Sequence, residues 1–302
     1  MVKIAAELNQ ALMRRAVYGT TGIPSARVLA RGEGWSVADV LCTSGPSDRP
    51  FEEQHDEISI AIVAAGTFQY RTTTGHALMT PGSILLGNAG QSFECGHEHG
   101  AGDRCIAFQF TPEYFEQIAT GAGVLGATLD FRWPRVSPMK ESTPLVAQAF
   151  AGLTEPADAE WEGIAVRLAA RVTRLAGRSV RTPARPPTSA TARVTRVVRA
   201  IERRPSAPLT LRQLAAQSGL SLYHFLRTFE HVTGLTPHQY VRRVRLRGAA
   251  VRLALEPGKI IDVAFESGFG DVSNFNRAFR AEFGVSPRVY QAARAKRTIC
   301  SR

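Results

Sequence analysis

Residues 36 to 110 carry a run of short apolar segments, WSVADVLCT, EISIAIVAAG, TFQYRTTTG, HALMTPGSILLGN, SFECG and RCIAFQF, each closed by Gly, Pro, Asn or polar residues. Short β-branched and aromatic runs at this spacing predict strands of an antiparallel sandwich or barrel. The period then changes. TPEYFEQIAT, TPLVAQAF and EWEGIAVRLAARVTRLAG read as helices. In the last, Trp161, Ile164, Val166, Leu168, Val172 and Leu175 form a broad apolar face. That face either covers the sheet or pairs with its copy in a homodimer. The opening MVKIAAELNQALMRRAV also has roughly helical spacing and lacks the unbroken apolar run of an export signal.

Residues 178 to 191, RSVRTPARPPTSAT, offer almost nothing to bury and read as a linker. The expected organisation is α+β: an N-terminal unit over 1–177, the linker over 178–191, and an all-helical unit over 192–302. The helical unit contains a repeat. Residues 215–240 align with 264–290 after one inserted residue, matching Gly219 with Gly268, Phe225 with Phe275, Arg227 with Arg277, Phe229 with Phe279, Gly234 with Gly284, Pro237 with Pro287 and Tyr240 with Tyr290.

Each copy reads as helix, turn at Gly, helix. Thr210 and Gln213 have capping-box spacing, Gly219 suits the end of the first helix, and Ser221 can cap the second. At about 100° per residue, Phe225, Phe229 and Val232 share one face, while Tyr223 and Arg227 lie opposite, flanked by His224 and His231. In the second copy Phe275, Phe279 and Phe283 point inward; Ser273, Arg277 and Arg280 point outward with Asn274 and Asn276 beside them. Arg matches guanine O6 and N7, and Asn matches adenine N6 and N7, so these faces have major-groove chemistry. Charge sharpens the picture. Residues 193–302 hold 20 Lys+Arg against 7 Asp+Glu, whereas the rest of the chain is nearly neutral. A basic unit on a neutral one implies a polyanionic partner. Between the copies, Arg242, Arg243, Arg245, Arg247 and Arg252 are expected to hold phosphates or to be solvated.

Residues 193–293, with the closing stretch GFGDVSNFNRAFRAEFGVSPRVY, resemble the DNA-binding domain of the AraC/XylS family of transcriptional regulators. The resemblance implies two helix-turn-helix units behind an N-terminal effector or dimerisation domain of cupin type. It also implies a double-stranded DNA operator, RNA polymerase, a small-molecule or metal effector and a second copy of the chain as partners, with no membrane and no catalysis. The family's base-reading positions fall on Tyr223, Leu226 and Arg227 in the first unit and on Ser273, Asn274, Asn276 and Arg277 in the second; Leu226 departs from the polar residue common there. His224 is counted with this face.

The N-terminal half resembles the cupin-like sensor of the same family through HDEISIAIVAAG and GHALMTPGSILLGN. A metal-binding cupin carries His-x-His; here the motif reads His55-Asp56-Glu57. What remains is ECGHEHGAGDRC, with Cys95, His97, His99 and Cys105, and His55 facing it. Thiolates and imidazoles suit zinc, nickel, copper or iron. A redox pair of Cys95 and Cys105 and an inert loop are the competing readings, and Cys42 is assigned to strand core. An organic effector in a pocket lined by Phe68, Tyr70, Phe93, Phe108 and Phe110 also stays open. The rival function is a cupin-type metalloenzyme, a dioxygenase or isomerase, fused to a DNA-binding module. Four cysteines and no export signal place the chain in the cytoplasm.

Overall fold

The computed structural model describes residues 2–124, 130–176, 186–256 and 258–300. Helix α1 (Val2–Tyr18) leads into nine strands: β1 (Pro24–Gly32), β2 (Trp35–Cys42), β3 (Phe51–Gln54), β4 (Ile58–Gly66), β5 (Phe68–Thr72), β6 (Gly75–Met79), β7 (Ile84–Gly87), β8 (Ser92–Gly96) and β9 (Asp103–Phe110). Helix α2 (Pro112–Gly121), the short strand β10 (Arg135–Val136), α3 (Thr143–Thr154) and α4 (Trp161–Ala176) complete the N-terminal unit. The C-terminal unit is helical: α5 (Thr188–Arg203), α6 (Leu211–Ser218), α7 (Leu222–Thr233), α8 (Pro237–Leu255), α9 (Ile260–Glu266), α10 (Val272–Phe283) and α11 (Pro287–Cys300).

The strands form two antiparallel sheets, β1-β2-β9-β4-β7-β10 and β3-β8-β5-β6, as the apolar runs predict. Strand β4 shows why its sequence is apolar at every position but Ser59. Ile58, Ile60 and Ile62 face a helical layer, while Ala61 and Val63 face the second sheet, so neither side meets water. The helical layer includes α4, whose Trp161, Ile164, Leu168 and Val172 are buried against α2, α3 and the first two strands. This face therefore covers the sheet. Between the sheets lie Val63, Phe68, Tyr70, Met79, Leu85, Cys95 and Cys105. Of the five expected pocket aromatics, Phe108 and Phe110 lie on the other face, against Trp161 and Phe115, because strand parity sends Ile106, Phe108 and Phe110 to the helices.

The expected linker falls largely on residues outside those described. Its last four residues, 188–191, correct the sequence reading: they form the first turn of α5. Besides the two-residue β10, two strands escaped the pattern. Strand β1 is mostly exposed along PSARVLARG and β3 has three exposed residues in four, so neither shows the apolar signal.

The two units share a packed contact. Helix α3 lies against α8 and α10, and Ala147 joins the apolar core of the second helix-turn-helix unit, while Leu78 of β6 joins that of the first.

Candidate functional site

The two helix-turn-helix units are built by the devices the spacing suggests. Thr210 Oγ1 accepts from Gln213 N at 3.2 Å and Gln213 Oε1 accepts from Thr210 N at 2.9 Å, closing a capping box on α6. Gly219 takes φ 65°, a left-handed value that costs a glycine little, and turns the chain into α7. Ser221 caps α7 through His224 N, and Asp271 caps α10 through Asn274 N at 2.6 Å. Phe225, Phe229, Phe275 and Phe279 are fully buried, which fixes the opposite faces outward.

Those opposite faces carry the sequence-derived candidates. Tyr223, His224, Arg227, Ser273, Asn274, Asn276 and Arg277 are exposed and Leu226 is half-buried. Arg227 Nη1 donates to Tyr223 Oη at 3.2 Å and its guanidinium stands 5.7 Å from the Tyr223 ring centre, so the two side chains share one exposed face. Between the units runs a cleft of about 370 Å³, walled by His238, Arg242, Arg245, Asn274 and Arg277 with Leu209 and Leu214 at its base. Its polar rim carries Arg242, Arg277 and Asn274, groups able to meet an anionic backbone.

The arginines of α8 correct the sequence reading. Arg242 is exposed, but the other four are tied to protein groups. Arg245 donates to the carbonyls of Pro205, Ala207 and Gly268 at 2.7–2.9 Å. Arg247, 3 % exposed, donates to Glu202 and to Pro81 O. Arg243 pairs with Glu282 at 3.1 Å and donates to Pro138 O. Arg252 pairs with Glu256 and Glu266. Two of these bonds, from Arg247 to Pro81 O and from Arg243 to Pro138 O, cross between the two units. Half-buried Arg135 adds another: its Nη1 donates to Leu78 O and Val232 O, and desolvation pulls its pKa down to about 10.

The cysteine–histidine stretch is rearranged relative to the expectation. Among the described residues His55 does not join the converging ligand-type groups: its Nε2 lies 2.7 Å from Tyr70 Oη and its ring stacks on Phe93, and burial pushes its pKa down to about 4. His99 lies beside Glu98 at 3.8 Å. Cys95 is buried in the inter-sheet core. Among the described residues the ligand-type groups that converge are instead Cys42, His97 and Asp103, with donor atoms all within 4.8 Å of one another. His97 Nε2 lies 2.6 Å from Asp103 Oδ1, and the Cys105 thiol donates to Asp103 Oδ2 at 3.4 Å. Burial opposes protonation of His97, but its bonds to Asp103 and Cys42 win and raise its pKa to about 9. Burial and the Asp103 charge push the Cys95 and Cys105 thiols up. Thiol exchange needs thiolate, so this setting disfavours the redox reading. Cys42 and Asp103 were missed because they meet through cross-strand register, as direct partners on β2 and β9. The one available signal was an Asp inside the quoted stretch, six residues after His97.

Two family matches cover most of the chain. Residues 43–171 match the AraC-like ligand binding domain, and residues 214–293 match a helix-turn-helix domain. Over 82 residues the chain is 43 % identical to the HTH-type transcriptional activator RhaS of Klebsiella pneumoniae (strain 342), covering 27 % of this chain and 30 % of that one. Over 84 residues it is 38 % identical to the right origin-binding protein of Escherichia coli (strain K12), covering 28 % and 29 %. The chain thus spans less than a third of the length of these relatives. Among solved structures, the DNA-binding domain of AdpA in complex with a target DNA matches 35 % of this chain and 96 % of that one, at 29 % identity and TM-score 0.34.

Proposed function

Since the chain belongs to the AraC/XylS family, joining an AraC-like ligand-binding domain to a helix-turn-helix domain, we propose that it is a sequence-specific DNA-binding regulator of transcription. The observation that carries this reading is the duplicated unit, which exposes polar, base-matching side chains at the same place on two helices. Helices α7 and α10 enter successive major grooves. Arg227 and Arg277 read guanine edges, Asn274 and Asn276 read adenine edges, and Arg242 in the cleft holds phosphate. The N-terminal unit acts as the effector domain and catalyses nothing. An effector that binds one arrangement of the two units better than the other shifts the population able to occupy DNA. RNA polymerase and a second copy of the chain, met in the cytoplasm, are the remaining partners of this reading.

The test uses duplexes enriched by the protein from a random-sequence pool. Arg227→Ala is expected to weaken binding to the enriched duplex by about 1–3 kcal/mol and to relax preference at one base pair. Arg242→Ala is expected to weaken all duplexes alike and to reduce the salt slope by about one. Equal loss on every sequence for Arg227→Ala would reassign Arg227 to phosphate.

A further inference from the structure

We propose that Cys42, His97 and Asp103 form a binding site for a zinc-class divalent ion, and that filling it fixes the loop on which the C-terminal unit docks. This rests on the reading of the N-terminal unit as an effector domain. The donor set is one thiol, one imidazole and one carboxylate, a combination that suits a borderline ion and leaves a fourth position open. All three residues are buried, at 3–5 % exposure. Cys42 and Asp103 are register partners across β2 and β9 and so project from the same face. His97 reaches them from the end of β8. Donors at 2.0–2.3 Å from a tetrahedral ion stand roughly 3.3–3.7 Å apart. The three atoms lie within 4.8 Å of one another, so side-chain adjustment of about an ångström meets that geometry. Cys105, bonded to Asp103 Oδ2, is an adjacent sulfur. Cys42 binds as thiolate and His97 as neutral imidazole, each releasing its proton to solvent.

The position of the site gives it a consequence. His97 and Asp103 are the two ends of the loop between β8 and β9, and Gly102 N donates to Ser44 O beside Cys42. The loop's outer carbonyls, Ala101 O and Gly102 O, accept from Arg199 Nη2 at 2.7 and 3.1 Å. Arg199 Nε donates to Thr67 Oγ1 at 2.9 Å. Arg199 sits on α5, whose Val194, Val197, Val198 and Ile201 form the core of the first helix-turn-helix unit. A Cβ on Gly100 would meet the Arg199 guanidinium at 2.3 Å, so loop and arginine are in close contact. Nothing softer than one short loop separates the three donors from the helix that carries the first DNA-reading unit.

The full chain, purified reduced and without chelator, is expected to carry about one zinc per chain by elemental analysis. Cobalt loaded in its place should give a near-ultraviolet thiolate-to-cobalt charge-transfer band. Cys42→Ser and Asp103→Ala should lose the zinc and Cys42→Ser the band, while Cys95→Ser and His99→Ala keep both. Zinc should slow amide exchange in residues 97–102 and in α5 by about tenfold or more. A metal-free wild-type chain that takes up neither ion and shows no band overturns the proposal without relying on any variant. So does zinc that survives Cys42→Ser but leaves with His99→Ala. Zinc binding without a change in exchange overturns the coupling. None of these readouts involves DNA, so failure to enrich a duplex would count against the regulator reading alone.

Discussion

Asp39→Ala is expected to destabilise the N-terminal unit by about 3–5 kcal/mol, measured by urea unfolding. Asp39 accepts from Arg104 Nε and Nη2, both at 2.8 Å, and Arg104 is 1 % exposed beneath α1, where it also meets Glu7 and Ile4 O. Removing the carboxylate leaves a buried guanidinium whose remaining charged partner, Glu7, is half-exposed. The cost comes from that orphaned charge more than from the lost bond, so Asp39→Leu combined with Arg104→Met should recover most of the stability. The pair also sets an acid limit. Burial opposes ionisation of Asp39, but the hydrogen bonds and charges of Arg104 and Arg27 outweigh it and hold the carboxyl below its ordinary value. Its stabilisation is therefore full above the unfolded pKa, about 3.9, and is lost as pH falls through the lower folded value. Stability of Asp39→Ala should accordingly depend less on pH than the wild type in the acid range. A loss under about 1 kcal/mol at neutral pH would mean that α1 is held by its apolar contacts alone.

Phe275→Ala is expected to cost about 3–5 kcal/mol and to abolish base reading by the second unit without touching a base-facing residue. Phe275 is fully buried between Phe269 and Phe279, with ring centres 5.2 and 5.6 Å away. Truncation opens a cavity under the one face that orients Asn274, Asn276 and Arg277. The expected readout is a lowered unfolding midpoint together with loss of preference at the half-site read by α10, while preference at the α7 half-site persists. Equal loss at both half-sites would show that the two units fold as one cooperative body through α8.

Those two residues mark the range of what the sequence disclosed. Phe275 was legible because everything that places it is local: the helical period, the matched Gly268 and Gly284 and a second copy for comparison. The outward faces followed from the same arithmetic. Arg104 and Asp39 were not legible, because the bond that joins them depends on which strands become neighbours. The buried cluster failed for the same reason. Proximity in the chain grouped Cys95, His97, His99 and Cys105, whereas strand pairing joined Cys42 to Asp103 and left His55 with Tyr70. The arginines of α8 read as phosphate ligands because Arg is basic in any sequence. Their partners here are carbonyls and carboxylates supplied by other segments, which composition does not reveal. Phe108 and Phe110 went to the helical side by a parity that a run apolar on both faces conceals.

The central claim is that the two exposed helix faces together read one DNA sequence. The most direct measurement is the ratio of affinities for the enriched duplex and a scrambled duplex of equal length, at one fixed salt concentration, for the wild type and for Arg227→Ala with Arg277→Ala. A wild-type ratio of about 10³ or more is expected, falling by at least about tenfold in the double variant, with affinity for the scrambled duplex changed far less. A wild-type ratio near one, or a double variant that keeps the full ratio, would contradict it.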